Sequence, residues 1–152
     1  MTGVTDLESL FEMPCWVIDV LPRKVPGDEA GQYFRIERHL LSGSHAEVIS
    51  RRHANLIVAL NCYFEMIASP DAEEWARNPE PSQLAASVQA CRADGGQAPS
   101  NLFVIVRGGG SPDALLVVDG DCTYLTLYGP SADLLDLTRD LAYAQGLFLW
   151  KP

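Results

Sequence analysis

The sequence predicts an α+β fold, with a mixed, mainly antiparallel sheet of about six to seven strands and three main helices packed on it. One observation is a strand meander, in which three segments rich in β-branched and aromatic residues follow one another with only turn residues between them. Another is the helical spacing of apolar residues in three longer segments. Because an uninterrupted meander does not fit a regular alternation of strands and helices, the α+β class is favoured over α/β.

Length and composition indicate a single domain over residues 1–152. The chain is 47% hydrophobic and carries a net charge of −9. A chain of this size buries one substantial core without a metal or a disulfide to hold it, and we expect no cofactor. An acidic surface repels phosphate backbones and anionic lipids, so nucleic acid and membrane surfaces are disfavoured as partners.

The compartment is predicted from the N-terminus and the cysteines. The first residues carry acidic side chains where a signal peptide carries basic and apolar ones. No apolar run reaches the length of a membrane helix. We therefore expect a cytoplasmic protein, in which the widely spaced Cys15, Cys62, Cys91 and Cys122 act as small apolar residues rather than in disulfides.

The first third of the chain is predicted to hold a short helix and two strands. The helix runs from Leu7 to Phe11 and ends before Pro14, because the residue preceding a proline disfavours helical backbone. Residues 15–21 form the first strand. The second is predicted over 32–41, where side chains alternate between two faces. One face holds Phe34, Ile36, Arg38 and Leu40, and the other holds Tyr33, Arg35, Glu37 and His39.

The middle third is predicted to contain two helices around a strand. The first helix starts at Ser44 and runs to about Leu60. A strand follows over 61–67, with Cys62 on its buried face and Tyr63 on the other. After an irregular stretch, a second helix starts at Ser82 and is expected to end at Gly95–Gly96, where left-handed backbone costs little.

The meander and a final helix make up the rest. Segments 101–107, 114–118 and 121–128 are the meander strands, and Asp119–Gly120 predicts a two-residue type I′ turn between the last two. The final helix is capped by Ser131 and closed by Gly146, and 147–150 form a last strand. Continuous apolar runs predict that 102–106 and 115–118 are central strands, covered on both faces.

Residues 35–53 form the locally basic window of an acidic chain, and all three histidines fall within it. If a strand and the following helix pack together here, their cations converge on a small anion or on an acidic patch of a partner, where guanidinium groups bind in a bidentate manner. The alternative is that these side chains form ordinary surface salt bridges. If the helices cover only one face of the sheet, the other face exposes Tyr33 and Tyr63. With these two aromatic residues added, the predicted binding set is Tyr33, Arg35, Arg38, His39, Arg51, Arg52 and Tyr63.

Other motifs do not support catalysis or metal binding. The glycines at 108–110 precede a strand, whereas a phosphate-binding loop opens a helix, so a hairpin connection is favoured. Asp119 and Asp121 lack the further oxygen ligands that calcium needs, and no histidine pair has zinc-ligand spacing. Cys62 activated by His39 or His53 is the remaining nucleophile hypothesis, and its predicted burial disfavours it.

The sequence therefore predicts a non-catalytic protein-interaction module that binds a protein partner or associates with itself as a homodimer. Small acidic domains of immunity or adaptor type have this general character, which is an analogy at the level of fold. A sensor or enzyme that binds a small anion through the basic window is the alternative. A structural subunit of a larger assembly is a third.

Overall fold

A computed structural model describes residues 6–27, 31–92, 98–108 and 112–152 of the chain. Its helices are α1 (Leu7–Phe11), α2 (Tyr33–Leu40), α3 (Gly43–Asn61), α4 (Pro81–Ala90) and α5 (Ala132–Ala144). Its strands are β1 (Cys15–Asp19), β2 (Glu65–Ser69), β3 (Ala76–Arg77), β4 (Asn101–Arg107), β5 (Ala114–Asp119), β6 (Leu125–Tyr128) and β7 (Phe148–Trp150). Within these residues the seven strands form one sheet in the order β3-β2-β4-β5-β6-β1-β7. The α+β prediction is confirmed, and every described strand pairing is antiparallel.

The predicted meander forms the centre of the sheet. Strands β4 and β5 pair along most of their length, and β5 pairs in turn with β6. Almost every side chain of β4 and β5 is at least partly buried, as expected for strands covered on both faces. Strand β1 then inserts between β6 and β7, so the first and last strands pair near one edge of the sheet.

One face of the sheet is covered by α3, α4 and α5. Apolar side chains of these helices and of alternate strand positions form the larger core, which includes Leu56, Leu84, Leu116, Leu127 and Leu134. The side chain of Ser131 accepts a hydrogen bond from the Leu134 N–H and caps α5, as predicted. No helix among the described residues is long and apolar enough to span a bilayer.

The other face is covered over its middle strands by the short helix α1. Leu10 packs with Ile105 and Leu115 in a second, smaller core. The ring of Phe11 makes edge-to-face contacts with Phe103 and Tyr128, with centroids 6.3 and 5.1 Å apart. The predicted end of this helix before Pro14 is confirmed.

The strand predicted over 32–41 is wrong, because this segment forms helix α2. Its partly buried residues are Tyr33, Glu37, Leu40 and Leu41, which recur at the spacing of one helix face. The hydroxyl of Tyr33 donates a hydrogen bond of 2.7 Å to Glu37, four residues on, and this contact closes one helical turn. The alternation of side chains between two faces over ten residues fitted a strand, but the same residues also have the spacing of one helix face.

The strand predicted over 61–67 begins later than expected. Helix α3 starts at Gly43 rather than Ser44 and continues to Asn61, and residues 62–64 form a turn before β2. The amide of Asn61 donates to the Phe64 carbonyl and closes this turn. Cys62 is consequently exposed at the end of α3 rather than buried in a strand, and Tyr63 lies on the turn.

The hairpin between β5 and β6 is confirmed, but its predicted two-residue turn is wrong. Val118 pairs with Leu125, and residues 120–124 connect the two strands. Gly120 is required there for a close approach, since a Cβ on it would lie 1.7 Å from the Cys91 carbonyl oxygen. The helix predicted from Ser82 to Gly95–Gly96 ends earlier than expected, because α4 ends at Ala90 with Cys91 as its C-cap. Gly95–Gly96 and most of the glycine loop at 108–110 lie outside the described residues.

Candidate functional site

Helix α2 places three of the predicted binding residues, two of them arginines, on one exposed face. Arg35, Arg38 and His39 stand three and four residues apart, which is the spacing of neighbours on a helix surface. The ring of His39 lies against that of His45 in the first turn of α3, with centroids 4.5 Å apart. We call Arg35, Ile36, Arg38, His39 and His45 the α2 surface.

Apolar side chains accompany these cations. No residue of α2 is fully buried, and Phe34 and Ile36 are 77% and 49% exposed. Exposed apolar side chains next to arginine are the composition that distinguishes protein interfaces from the remaining surface. A basic amphipathic helix that leaves apolar residues exposed is typical of one that docks on a partner.

Arg51 and Arg52 point to opposite flanks of α3 and do not act as a pair. Arg51 lines a polar groove of about 420 Å³ between α3 and α4, together with Arg92 and Glu47. Arg92 and Glu47 form a salt bridge of 3.6 Å there. A Cβ on Gly146 would lie 3.2 Å from Nη1 of Arg52, so this guanidinium lies beside the C-terminal end of α5.

Tyr63 is separated from the other predicted residues. Its side chain is 66% exposed on the turn that follows α3. Roughly 15 Å along the helix axis separates Arg51 from the end of α3. The structure therefore brings Arg35, Arg38 and His39 together, and leaves Arg51, Arg52 and Tyr63 at three other places.

Tyr33, the seventh predicted residue, lines a cavity that the sequence did not reveal. This cavity of about 720 Å³ lies on the sheet face opposite α3, α4 and α5, over β6, β1 and β7. We call it the aromatic cavity. Its lining residues come from five stretches of chain and are Val17, Asp19, Lys24, Val25, Pro26, Gly27, Gly31, Tyr33, Phe34, Tyr124, Thr126, Trp150 and Pro152.

Two carboxylates, those of Asp19 and Glu37, contribute to the electrostatics of the aromatic cavity. Asp19 is buried and accepts hydrogen bonds from the Val20 N–H at 2.7 Å and the Thr123 hydroxyl at 3.1 Å. Burial raises the pKa of Asp19 more than these bonds lower it, and the charge of Glu37 adds to the increase. Burial, the hydrogen bond to Glu37 and the Glu37 charge raise the pKa of Tyr33.

The side chain of His53 in α3 is buried in the core under this helix. Burial lowers its pKa to about 4, although the hydrogen bond to the Thr123 carbonyl opposes this change. Its Nε2 atom has no hydrogen-bond partner among the described residues. A space of about 20 Å³ next to it, lined also by Ser50, Cys91 and Cys122, is large enough for one water molecule.

Cys91, Cys122 and the pair Cys62–His53 lack the setting of a nucleophilic site. Burial raises the pKa of Cys91 and of Cys122 to about 11, which disfavours the thiolate at neutral pH. Cys62 lies roughly 13 Å along the helix axis from His53. His53 is buried and Cys62 is exposed, so these two side chains do not form a nucleophile and base.

No group of three or more His, Cys, Asp or Glu side chains in the described ranges is arranged to bind a metal ion. Comparisons with protein-family models, with curated proteins and with solved structures gave no significant match for this chain. The α2 surface and the aromatic cavity are the candidate functional features among the described residues.

Proposed function

We propose that this protein is a non-catalytic interaction domain that binds an acidic protein partner through the α2 surface. The observation that carries the proposal is the outward face of α2, where Arg35, Arg38 and His39 form a stripe and the exposed Ile36 lies at its edge. A helix of this kind contributes side chains at positions i, i+3 and i+4 to a groove or face of a partner.

Charge complementarity supports an acidic partner. The chain as a whole carries a net charge of −9, yet Arg35 and Arg38 lie with His39 and His45 in one small area. Opposite charge on a partner accelerates encounter and selects the docking orientation. A second copy of this acidic chain has the same complementarity, so a homodimer is one form of the proposal.

A site-specific crosslinking experiment tests this proposal. A photo-crosslinking amino acid at Ile36 should capture a defined acidic protein, or a second copy of the chain, in cells that express it. The same crosslinker at Tyr63, which is similarly exposed on the turn after α3, is the matched control and should capture much less. Size exclusion with light scattering then distinguishes a homodimer from a complex with another protein.

The contribution of charge is tested by reversing it. The double variant Arg35→Glu and Arg38→Glu should reduce the yield at Ile36 about tenfold or more, because both residues are exposed and lose attraction to an acidic surface. Stability should change little for the same reason. Equal capture at Ile36 and Tyr63, or capture that survives charge reversal, would contradict the proposal.

Binding of a small anion is the second candidate, and the α3–α4 groove is the observation in its favour. Arg51 and Arg92 both line this groove. Glu47 already engages Arg92, however, and an anion would have to compete with that carboxylate. A thermal shift with inorganic phosphate that disappears in Arg51→Ala would favour this candidate over the interaction domain.

A further inference from the structure

The aromatic cavity has the size of a small-molecule site. Its floor is formed by Val17 and Thr126 on adjacent strands, and its walls by Trp150 and the start of α2. Its volume of about 720 Å³ lies within the range of roughly 300–1,000 Å³ that is typical of ligand sites. This cavity is independent of the partner-binding proposal, since Ile36 and the cations of the α2 surface do not line it.

Four aromatic side chains contribute to its lining, namely Tyr33, Phe34, Tyr124 and Trp150. The indole N–H of Trp150 donates to the Leu21 carbonyl at 3.1 Å, and the hydroxyl of Tyr33 donates to Glu37 at 2.7 Å. Because these polar atoms already have partners, Trp150 and Tyr33 offer a ligand mainly aromatic surface, which attracts cations through the electron-rich ring faces.

The charges around the cavity also favour a cation. Asp19 lines the cavity from a buried position, and Glu37 lies behind Tyr33. Lys24 is the opposing charge among the lining residues, and it is exposed, so solvent screens it more than the buried carboxylate. Asp19 has backbone and hydroxyl donors but no cationic partner among the described ion pairs.

We propose that the aromatic cavity binds a small organic ammonium compound, with its charged nitrogen near Asp19 and its apolar body against the aromatic rings. Carboxylates and aromatic rings together recognise alkylated and primary ammonium groups. The cavity volume accommodates an aromatic or aliphatic body in addition to the charged group. Neutral and anionic molecules of the same shape gain only the apolar contacts.

Three probes with one body and different charges test this assignment. Phenylpropylamine, phenylpropanol and phenylpropanoate carry a positive charge, no charge and a negative charge at neutral pH. Each is titrated into the full chain while NMR follows the indole N–H signal of Trp150, which the variant Trp150→Phe identifies. The amine should bind about tenfold more tightly than the alcohol, and the propanoate should bind most weakly.

The competing outcomes overturn the proposal. Equal affinity for the amine and the alcohol would show an apolar cavity without selection for charge. Tighter binding of the propanoate would assign the cavity to anions and give Lys24 the decisive role. If no probe moves the Trp150 signal at millimolar concentration, the cavity does not bind this class of ligand.

Substitutions locate the charged end and the aromatic rim. Asp19→Asn keeps the shape of the side chain and should weaken the amine about tenfold while leaving the alcohol unchanged. Asp19 also accepts hydrogen bonds from Val20 and Thr123, so its substitution can disturb folding. A second variant that leaves these hydrogen bonds intact is therefore included. Phe34→Ala removes an exposed ring from the rim and should weaken the amine a few-fold.

Ile36→Ala is the matched control for Phe34→Ala. Both residues are exposed apolar side chains of α2, and only Phe34 lines the cavity. Amine binding should be unchanged in Ile36→Ala. If the two variants weaken the amine equally, or if folded Asp19→Asn retains full selectivity for the amine over the alcohol, the assignment of this site is wrong.

Discussion

The two faces of the sheet are completed in different ways. The face beneath α3, α4 and α5 is a closed apolar core, whereas the opposite face is covered over its middle strands by α1 and opens into the aromatic cavity over β6, β1 and β7. The first face buries more apolar surface and therefore carries more of the folding free energy. The second leaves aromatic and charged groups accessible, and these are the groups that recognise ligands.

Thr123 connects the two faces around the end of the sheet. Its backbone carbonyl accepts a hydrogen bond from the buried His53 on the helix side. Its hydroxyl donates to Asp19, which lines the aromatic cavity. Thr123 is itself buried in the connection between β5 and β6. The position of Asp19 in the cavity thus depends on a loop that is also held by the larger core.

Neighbouring residues of β6 give the sharpest test of this contrast. Leu127 is 0% exposed and points into the larger core, while Thr126 points to the aromatic cavity. Leu127→Ala should lower the free energy of unfolding by about 2–5 kcal/mol, because it removes buried apolar contacts and leaves a cavity. Thr126→Ala should cost less than about 1 kcal/mol. Urea unfolding monitored by circular dichroism measures both, and equal losses would contradict the assignment of stability to the helix face.

The pH dependence of stability provides a second test, through His53. Its native pKa of about 4 lies below the ordinary value of 6.5, so the unfolded chain takes up a proton between these pH values and the native protein does not. Stability is therefore retained above pH 6.5 and falls as the pH is lowered towards 4, by up to roughly 3 kcal/mol. Urea unfolding at pH 7.5, 6 and 5 should show this decrease.

The variant His53→Gln isolates the contribution of this side chain. Asp119 and Arg92 line the same small space as His53 and are present in both proteins, so the difference between the two pH profiles reports His53. We expect a shallower acid decrease in His53→Gln. Parallel profiles of unfolding free energy against pH would mean that His53 is protonated in the native protein. The core on the helix side of the sheet would then tolerate a buried charge.

The parts of the fold that local pattern determines were predictable from the sequence. The meander, α3, α5 and the last strand follow from periodicity and capping residues, which act within a few neighbouring positions. The strand prediction for the α2 segment is wrong because several of its side chains fit both the two-residue period of a strand and the 3.6-residue period of a helix. Eight residues are too few to separate these two periods. The role of Gly120 depends on its contact with Cys91, which is distant in sequence.

The candidate sites were less predictable because the chain assembles them from distant segments. Arg35, Arg38 and His39 are close in sequence within the basic window, and helix α2 places them closer together in space than a strand would. The aromatic cavity combines Asp19 with Trp150 at the other end of the chain. No local pattern reports that juxtaposition, which requires the pairing of β1 with β7.

The smallest expected effect concerns Arg52 at the border of the helix layer. Its guanidinium lies beside the C-terminal end of α5, where a cation interacts favourably with the helix dipole. The side chain of Asn55 donates a hydrogen bond of 3.2 Å to Gln145 at the same end of α5. Arg52→Ala should therefore lower the free energy of unfolding by about 0.5–1 kcal/mol, and added salt should reduce the loss. The neighbouring Arg51→Ala removes the same charge from the α3–α4 groove and should change stability by less than about 0.5 kcal/mol. Chemical denaturation at low and high salt compares the two variants. A larger loss for Arg51→Ala would make the α3–α4 groove part of the stabilising layer and remove it from the surfaces available to a ligand.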